Sequence, residues 1–285
     1  MTIKFTKMQG LGNDFMVVDA IHQTIKFSPH LIQRWADRHF GIGFDQLLVV
    51  EEATQVGVDF RYRIFNADGS EVQQCGNGAR CFARFVLDKG LTDQTEITVE
   101  TASGVIVLYI EADGLVRVNM GIPNFKPQSL PFYPPLQQQT QAQEFTPYTL
   151  DALGSSVTVG VVSVGNPHAV LAVDDINSTQ VAQLGAALES HDAFPERVNV
   201  GFAQTIDRNH IALRVYERGA AETLACGTGA CAAMVVLKRW GAVDDSVTVS
   251  LPGGDLLIQW GGGIHDSVWM TGSAVTVFEG DIADE

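Results

Sequence analysis

Two stretches of the chain have the residue pattern of buried helices. Residues 79–89 are helix-forming residues with no proline and are followed by Gly90, and residues 230–240 are apolar nearly all round and are followed by Gly241. Glycine at this position commonly ends a helix, and a helix without a polar face belongs in a protein interior. The pattern therefore predicts two central helices.

Beyond each predicted helix, apolar and polar residues alternate with a period of two, which is typical of strands. The alternating runs after the first helix cover residues 96–100, 104–110 and 115–120, with turns at Ser103-Gly104 and Asp113-Gly114, and the second copy has turns at residues 252–254 and 261–263. We expect antiparallel hairpins here and no parallel crossover after the helix. A largely antiparallel sheet curled around a buried helix would hide both apolar faces.

An internal repeat organises the whole chain. Residues 63–79 read RIFNADGSEVQQCGNGA, and residues 214–230 read RVYERGAAETLACGTGA, 151 positions later. A period this long, occurring twice, indicates two copies of one domain rather than a solenoid. The predicted fold is therefore α/β in the α+β sense, with two pseudo-symmetric domains, each a curled, barrel-like sheet around a central helix.

The domain bounds follow from the repeat and from one change in composition. Residues 123–147 are rich in proline and glutamine, which favours a connector between the copies. A last strand near residues 274–278 has no counterpart after the first copy and is expected to return to the first domain. The predicted domains are thus residues 1–123 plus 272–285, and residues 124–271.

Composition narrows the class of protein. The chain has 285 residues, 46% of them hydrophobic, and a formal net charge of −15. It can bury a sizeable core, and its acidic surface argues against nucleic acid, whose phosphates need clustered Lys and Arg. No apolar run approaches membrane-spanning length, and the N-terminal residues have no signal-peptide core. Four cysteines are too few for a disulfide framework, so we expect a cytoplasmic protein with reduced thiols and no membrane partner.

Two of the cysteines occupy equivalent positions in the repeat. Cys75 and Cys226 are each followed by Gly-x-Gly at the start of a predicted helix, where backbone N–H groups lack partners. This setting is expected to lower a thiol pKa toward neutrality and to bind an anion such as a carboxylate. Two such helices related by a two-fold axis would present a base and an acid to opposite faces of one carbon, as inversion of an acidic C–H centre requires.

A set of short motifs resembles one known family. The motifs, in chain order, are residues 8–15 (MQGLGNDF), 43–46 (GFDQ), 65–71 (FNADGSE), 75–81 (CGNGARC), 165–168 (GNPH), 197–199 (RVN), 216–219 (YERG) and 225–230 (ACGTGA). They are similar to the motif set of diaminopimelate epimerase. The resemblance implies an isomerase that converts LL-2,6-diaminopimelate to the meso form without pyridoxal phosphate, in lysine and peptidoglycan precursor synthesis.

The resemblance also implies residue roles. Cys75 and Cys226 would be the catalytic base and acid, and His168 and Glu217 would tune their pKa values. The predicted substrate-binding residues are Asn13, Gln46, Asn66, Gly76, Asn77, Asn166, Asn199, Glu217, Arg218, Gly227 and Thr228. A substrate with two ammonium and two carboxylate groups suits this mixture of amides, one carboxylate and one guanidinium, and a site that demands both ends would reject one-ended amino acids.

The resemblance further implies no metal, no cofactor and a homodimer. Phe278 stands where many bacterial members carry a tyrosine associated with dimerisation, which leaves apolar packing for that contact. Cys81 and Cys231 are expected to be buried core residues. For His168, a turn-capping role is an alternative.

Several alternative functions stay open from the sequence alone. Another cofactor-independent racemase with two cysteines, such as a proline racemase, would share the thiol chemistry. A two-domain binding protein with Cys75 joined to Cys226 is a non-enzymatic alternative. Residues 227–232 fit a relaxed dinucleotide fingerprint, and the cysteine spacings lack the paired Cys-x2-Cys of structural zinc sites, so a dehydrogenase and a metal protein are weaker alternatives.

Overall fold

The computed structural model describes residues 2–72, 75–136, 138 and 147–283. The chain forms two compact units, of which unit 1 is Met1–Asn119 with Thr271–Glu285 and unit 2 is Met120–Met270. The assignment of domains as epimerase halves, with bounds at residues 123/124 and 271/272, stays a prediction. Residues 137 and 139–146 of the expected connector lie outside the described part.

Unit 1 consists of a mixed sheet and two helices. Its elements are β1 (Thr2–Gly10), β2 (Asn13–Asp19), α1 (Pro29–Ala36), β3 (Gln46–Glu52), β4 (Phe60–Asn66), β5 (Glu71–Val72), α2 (Gly76–Asp88), β6 (Glu96–Thr101), β7 (Gly104–Ile110) and β8 (Val116–Asn119). The last strand of the chain, Val275–Ala283, is the eighteenth and is called β18 below; it pairs antiparallel with β1. The strands pair in the order β18–β1–β2–β3–β4–β6–β7–β8, with β5 beside β4.

Unit 2 repeats this arrangement. Its elements are a 3-10 helix (Pro127–Ser129), β9 (Tyr148–Ala152), β10 (Ser155–Ser163), β11 (Pro167–Ala172), α3 (Val181–Glu189), β12 (Asn199–Asp207), β13 (His210–Glu217), β14 (Ala221–Thr223), α4 (Gly227–Arg239), β15 (Ser246–Leu251) and β16 (Gly254–Gln259), and β17 (Trp269–Gly272) runs across its C-terminal boundary. The pairing order is β9–β10–β11–β12–β13–β15–β16, with β14 beside β13.

The central helix of each unit lies against several strands of its own sheet. In unit 1, α2 packs on β1, β2, β3, β7 and β8, and α1 packs on β3 with a core of its own around the buried Trp35. Because helices cover both faces of the sheet, β2 and β3 are buried on both sides, and their interiors read as continuous apolar runs instead of alternating.

The predicted α+β fold class is confirmed. The two central helices begin at Gly76 and Gly227, slightly earlier than predicted, and Gly90 and Gly241 follow them with φ values of 66° and 75°. Among the described strands, β18 and β8 do not pair with each other, nor do β9 and β16, so each sheet is open rather than a closed barrel.

The expectation that no parallel crossover follows the helices was wrong. β4 pairs parallel with β6, and β13 pairs parallel with β15, so each central helix connects two parallel strands. The parallel pairings are short, and a small hairpin strand precedes each helix, which is why the local alternation suggested only hairpins. Helices α1 and α3 and the parallel pairs β2–β3 and β11–β12 had also not been predicted.

Part of the expected connector belongs to the core of unit 2. Leu130 and Phe132 are buried there, and the Phe132 ring lies 4.8 Å from the rings of both Tyr148 and Phe194. The Gln138 amide bonds both backbone groups of Thr149. The described part of the proline-rich segment is therefore packed against and hydrogen-bonded to unit 2.

We expect Gly78→Ala to destabilise the protein, although alanine usually favours a helix by about 0.5–1 kcal/mol over glycine. A Cβ at Gly78 would lie 2.3 Å from the Tyr62 hydroxyl oxygen and 3.1 Å from Leu48 Cδ2, both in a closed core. Urea unfolding should show a loss of about 1–3 kcal/mol. The double variant Gly78→Ala/Tyr62→Phe should recover part of this loss relative to Tyr62→Phe alone, and a Gly78→Ala protein as stable as the parent would contradict the packing.

Candidate active site

Cys75 is the N-cap residue of α2. Its backbone is extended, with φ of −148°, and its sulfur accepts a hydrogen bond from the backbone N–H of Gly78 at 3.3 Å. The small residues at positions 76 and 78 allow the first turn to close around the sulfur. A sulfur that accepts N–H bonds at the positive end of a helix is stabilised in its thiolate form.

Cys226 is the N-cap residue of α4 but has different hydrogen-bond partners. Its thiol donates to Glu217 Oε2 at 3.2 Å, and its sulfur lies 3.6 Å from the Thr228 hydroxyl. The other carboxylate oxygen of Glu217 accepts from the Thr223 hydroxyl at 2.5 Å. The carboxylate thus holds the sulfur as an S–H donor.

The expected lowering of the thiol pKa is wrong for Cys226. Burial, followed by the negative charge of Glu217, raises the pKa of the Cys226 thiol well above its usual range. These two effects outweigh the stabilising hydrogen bonds from Thr228 and the Gly229 amide. The helix terminus alone indicated the wrong direction. The resemblance had named Glu217, at the end of β13, as a residue that tunes the thiols, without giving the direction of its effect.

Four predicted binding residues of unit 1 form two polar contacts. Gln46 Nε2 donates to Asn66 Oδ1 at 3.0 Å, between the first residue of β3 and the last of β4. Asn77 Nδ2 lies 3.4 Å from Asn13 Oδ1, and Cys75 Sγ lies 4.0 Å from the same oxygen. The structure therefore brings Asn13 and Asn77 to the Cys75 sulfur, and Gln46 to Asn66.

In unit 2, Asn166 and His168 lie together. His168 is buried, and its Nε2 lies 2.9 Å from Asn166 Oδ1, so Nε2 carries the proton if that oxygen accepts. Nδ1 is then a buried acceptor with no partner among the described residues. Burial, with a smaller contribution from Arg218, lowers the pKa of His168 to about 3, so the ring is neutral at physiological pH.

Asn199 and Arg218 also contact each other. The Asn199 amide donates to the Pro167 carbonyl at 3.0 Å and accepts from the Arg218 backbone N–H at 3.0 Å. The Arg218 side chain is exposed, and its guanidinium donates to the Glu196 carbonyl at 3.2 Å. Asn199 thus fixes the backbone that carries Arg218.

The remaining predicted residues have simple placements. Gly76 and Gly227 are the first residues of α2 and α4, and Thr228 follows in the first turn, where backbone N–H groups lack intrahelical partners. Cys81 and Cys231 are fully buried, as expected, and burial raises the pKa of Cys81 to about 12.

Comparison with known proteins gives the family. The diaminopimelate epimerase profile matches residues 5–126 and 160–277. The chain is 56% identical over 282 residues to diaminopimelate epimerase of Chromobacterium violaceum and 57% identical over 282 residues to that of Nitrosomonas europaea, covering 99% of each protein. The chain belongs to the diaminopimelate epimerase family. It is therefore an isomerase of the class of epimerases that act without pyridoxal phosphate, and this prediction is confirmed.

Solved structures share the fold. A phenazine biosynthesis protein of the PhzF family from Bacillus anthracis aligns with a TM-score of 0.72 at 17% identity, over 99% of both chains. A hydroxyproline epimerase from Agrobacterium vitis aligns with a TM-score of 0.70 at 15% identity, over 99% of this chain and 92% of the other. At these identities the likeness concerns the fold alone.

Two features are absent from the described residues. No helix in that part of the chain is long and apolar enough to cross a membrane. Within the same residues, no group of three or more His, Cys, Asp or Glu side chains is arranged to hold a metal ion.

An ionic network beside Asn13 was not predicted from the sequence. Asp14 and Asp45 both bind the Arg38 guanidinium, and Lys7 bonds Asp14 and the Gly43 carbonyl. Asp14 and Asp45 stand next to the predicted residues Asn13 and Gln46 in the family motifs. Charged residues inside otherwise uncharged motif segments were the available signal.

We expect His168 to make stability depend on pH. Its pKa is about 3 in the folded protein and about 6.5 in an unfolded chain. Between these values the unfolded state binds the proton more tightly, so stability is present above about pH 6.5 and is lost as pH falls toward 3. The slope from this residue is at most about 1.4 kcal/mol per pH unit.

Urea unfolding of the parent and of His168→Gln at several pH values between about 6.5 and 4.5 measures this slope. The free energy of unfolding of His168→Gln should depend less steeply on pH than that of the parent, by close to the slope expected for one proton. The exposed His30 offers a matched control, because His30→Gln should leave the slope nearly unchanged. Equal slopes for the parent and His168→Gln would contradict a neutral buried imidazole.

Proposed function

We propose that the protein interconverts LL-2,6-diaminopimelate and the meso form by acid/base catalysis through Cys75 and Cys226. The observation that carries the proposal is that repeat-equivalent cysteines cap both central helices, in a chain 56% and 57% identical to diaminopimelate epimerases. Inversion of an α-carbon needs one group to remove a proton and another to deliver one to the opposite face.

The two thiols would start in different protonation states. Cys75 accepts an N–H bond and serves as the thiolate base, whereas Cys226 donates to Glu217 and serves as the acid. In the forward step, the C–H bond of the α-carbon breaks and its proton goes to the Cys75 sulfur. The Cys226 S–H proton forms the new C–H bond, and exchange with solvent resets both thiols. The reverse reaction exchanges the roles.

Charge on the substrate would be held by the helix termini. As the α-proton leaves, negative charge develops on the adjacent carboxylate, and unpaired backbone N–H groups stabilise such charge without reorganisation. The amides of Gly76, Asn77, Gly227 and Thr228 lie in the first turns and are proposed to bind this carboxylate.

The remaining polar residues are proposed to recognise the two amino-acid groups. Gln46 Oε1 and His168 Nδ1 are buried and have no partner among the described residues, as befits acceptors for ammonium N–H groups. Asn66 contacts Gln46 and Asn166 contacts His168, whereas Asn199 accepts from the Arg218 backbone. The exposed guanidinium of Arg218 can grip the distal carboxylate through two donors, and Glu217 would pair with an ammonium group or tune Cys226.

The setting of the reaction is proposed as well. The activity would serve lysine and peptidoglycan precursor synthesis in the cytoplasm, without a cofactor, a metal or a nucleic-acid partner. We further propose a homodimer, supported by β18, whose Val275, Val277 and Phe278 side chains are each about half exposed. Apolar packing of these residues would replace the contact of a tyrosine hydroxyl.

The purified protein should exchange the α-hydrogen of LL-diaminopimelate with solvent deuterium in the absence of pyridoxal phosphate and metal. Cys75→Ala and Cys226→Ala should each abolish epimerisation, because each removes one of the two proton-transferring groups. Mass spectrometry and chiral analysis of the product measure both events.

The matched controls are Cys81→Ala and Cys231→Ala, which remove buried core thiols and should keep turnover wherever the variants fold. Full turnover by Cys75→Ala or by Cys226→Ala would overturn the two-cysteine mechanism.

We expect Arg218→Ala to raise KM about 10-fold or more with a smaller change in kcat, because a charge-assisted hydrogen bond is worth about 1.5–3 kcal/mol. The KM of Arg218→Lys should lie between those of the parent and the alanine variant. Lysine keeps the positive charge but cannot donate two parallel hydrogen bonds to one carboxylate. Steady-state kinetics measure the changes in KM and in kcat separately. Lysine, which lacks the distal carboxylate, should be a poor substrate, and its turnover at a comparable rate would indicate a broad racemase.

A further inference from the structure

We propose that Asp45 is a positioning residue that fixes the Asn13 carboxamide with its oxygen, and not its nitrogen, toward the Cys75 sulfur. The proposal rests on the proposed role of Cys75 as the base. It gives a function to a carboxylate outside the set of residues predicted from the sequence.

The orientation of Asn13 follows from the chemistry of its neighbour. An ionised carboxylate can only accept hydrogen bonds. Asn13 lies 2.8 Å from Asp45 Oδ2, so the end of its amide that faces Asp45 must be the NH₂ group. The carbonyl oxygen is thereby turned to the other side, where Cys75 Sγ lies at 4.0 Å.

A second residue indicates the same orientation independently. A guanidinium can only donate, and Arg80 Nη1 lies 3.1 Å from Asn77, so the Asn77 oxygen faces Arg80. The Asn77 NH₂ group then faces Asn13, at 3.4 Å, and it needs an acceptor there. Both neighbours of Asn13 therefore require its oxygen on the Cys75 side.

Asp45 is itself held firmly. Its Oδ2 also accepts from the Asp14 backbone N–H at 3.1 Å, and its Oδ1 accepts from Arg38 at 2.8 Å. Asp14 binds the same guanidinium through both oxygens. Burial acts to raise the pKa of Asp14, but hydrogen bonds from Arg38 and Lys7 outweigh it and lower the value to about 2, so this anchor stays charged.

Unit 2 shows that the fold does not require this network. The equivalents of Asp14 and Asp45, 153 positions later, are Pro167 and Val198. Strands β11 and β12 nevertheless form the same parallel pair as β2 and β3. The carboxylates are thus specific to the unit that carries Cys75.

The oriented oxygen has a defined use in the proposed reaction. After the Cys75 thiolate takes the α-proton, its S–H group becomes a donor, and a carbonyl oxygen accepts from it. An amide turned the other way would stabilise the thiolate instead and make it a weaker base. Asp45 would therefore strengthen Cys75 as a base through Asn13.

The test is the pH profile of Cys75 alkylation by iodoacetamide, followed by mass spectrometry of the Cys75 peptide in the full-length protein without substrate. In Asp45→Ala the Asn13 NH₂ group loses its acceptor at 2.8 Å, and only the longer 3.4 Å contact from Asn77 still favours the present orientation. The amide should then turn in part of the molecules, so alkylation near neutral pH should rise about threefold or more and the midpoint should move to lower pH. Asp45→Asn keeps an oxygen that can accept from Asn13 and from the Asp14 N–H, although it loses the bond from Arg38. It should therefore lie closer to the parent than to Asp45→Ala.

Two comparisons separate orientation from charge. Asp45→Asn removes the charge as fully as Asp45→Ala, so equal shifts in both variants would overturn the proposal in favour of simple Coulomb repulsion. In an Asn13→Ala background, Asp45→Ala should have no further effect, and a persisting shift would likewise overturn it. No shift in Asp45→Ala would do the same. If the alanine variant does not fold, Asp45→Leu, which also cannot accept from Asn13, takes its place in both comparisons.

Other titratable groups near Cys75 do not change their charge in the pH range of the alkylation experiment. Tyr62 on β4 and Cys81 on α2 interact electrostatically with Cys75, but burial raises the pKa of Tyr62 well above its usual range and that of Cys81 to about 12. Asp244→Ala is a matched control, because it removes an equally exposed carboxylate that pairs with Arg208 and should leave the profile unchanged.

The readout is also independent of the proposed function. A parent protein with no α-hydrogen exchange would count against the epimerase reaction while leaving the Asp45 and Asn13 geometry intact. An active parent with unshifted alkylation in Asp45→Ala would count against the positioning role alone.

Discussion

A cysteine is the N-cap residue of each central helix, and the proposed chemistry depends on that constraint. A helix leaves its first N–H groups without intrahelical partners, and a glycine-rich first turn leaves them open to an anion. The N-cap position places the sulfur beside these backbone N–H groups, which form an anion-binding surface. Burial of the helix body inside each unit then fixes the sulfur to the core.

The repeat makes the two units alike in fold, and single substitutions make their thiols different. Asn66 at the end of β4 and Glu217 at the end of β13 are equivalent positions. In unit 1 this position offers a neutral amide bound to Gln46, and in unit 2 it offers a carboxylate that accepts from the Cys226 thiol. The Asp45 network adds a second difference on the side of Cys75. An enzyme that needs one base and one acid can thus be built from two copies of one domain.

The sequence was sufficient for the repeat, the two central helices, the hairpins after them and the positions of Cys75 and Cys226. Those features depend on local patterns of period 3.6 and 2 and on glycine at helix ends. Helices α1 and α3 and the parallel strand pairs depend on which segments meet in space, and local periodicity does not report that. The raised pKa of Cys226 comes from burial and then from Glu217, which reaches the sulfur from another strand. The resemblance named Glu217 as a tuning residue but did not give the direction of the effect.

The central claim we propose is that the two cap cysteines ionise differently, with Cys75 losing its proton at a lower pH than Cys226. Thiolate absorbance in the ultraviolet, titrated in the parent, Cys75→Ala and Cys226→Ala, tests it most directly. The account predicts that Cys75→Ala removes the absorbance that appears at mildly alkaline pH, while Cys226→Ala keeps it. Loss of that absorbance in Cys226→Ala with its retention in Cys75→Ala would contradict the account.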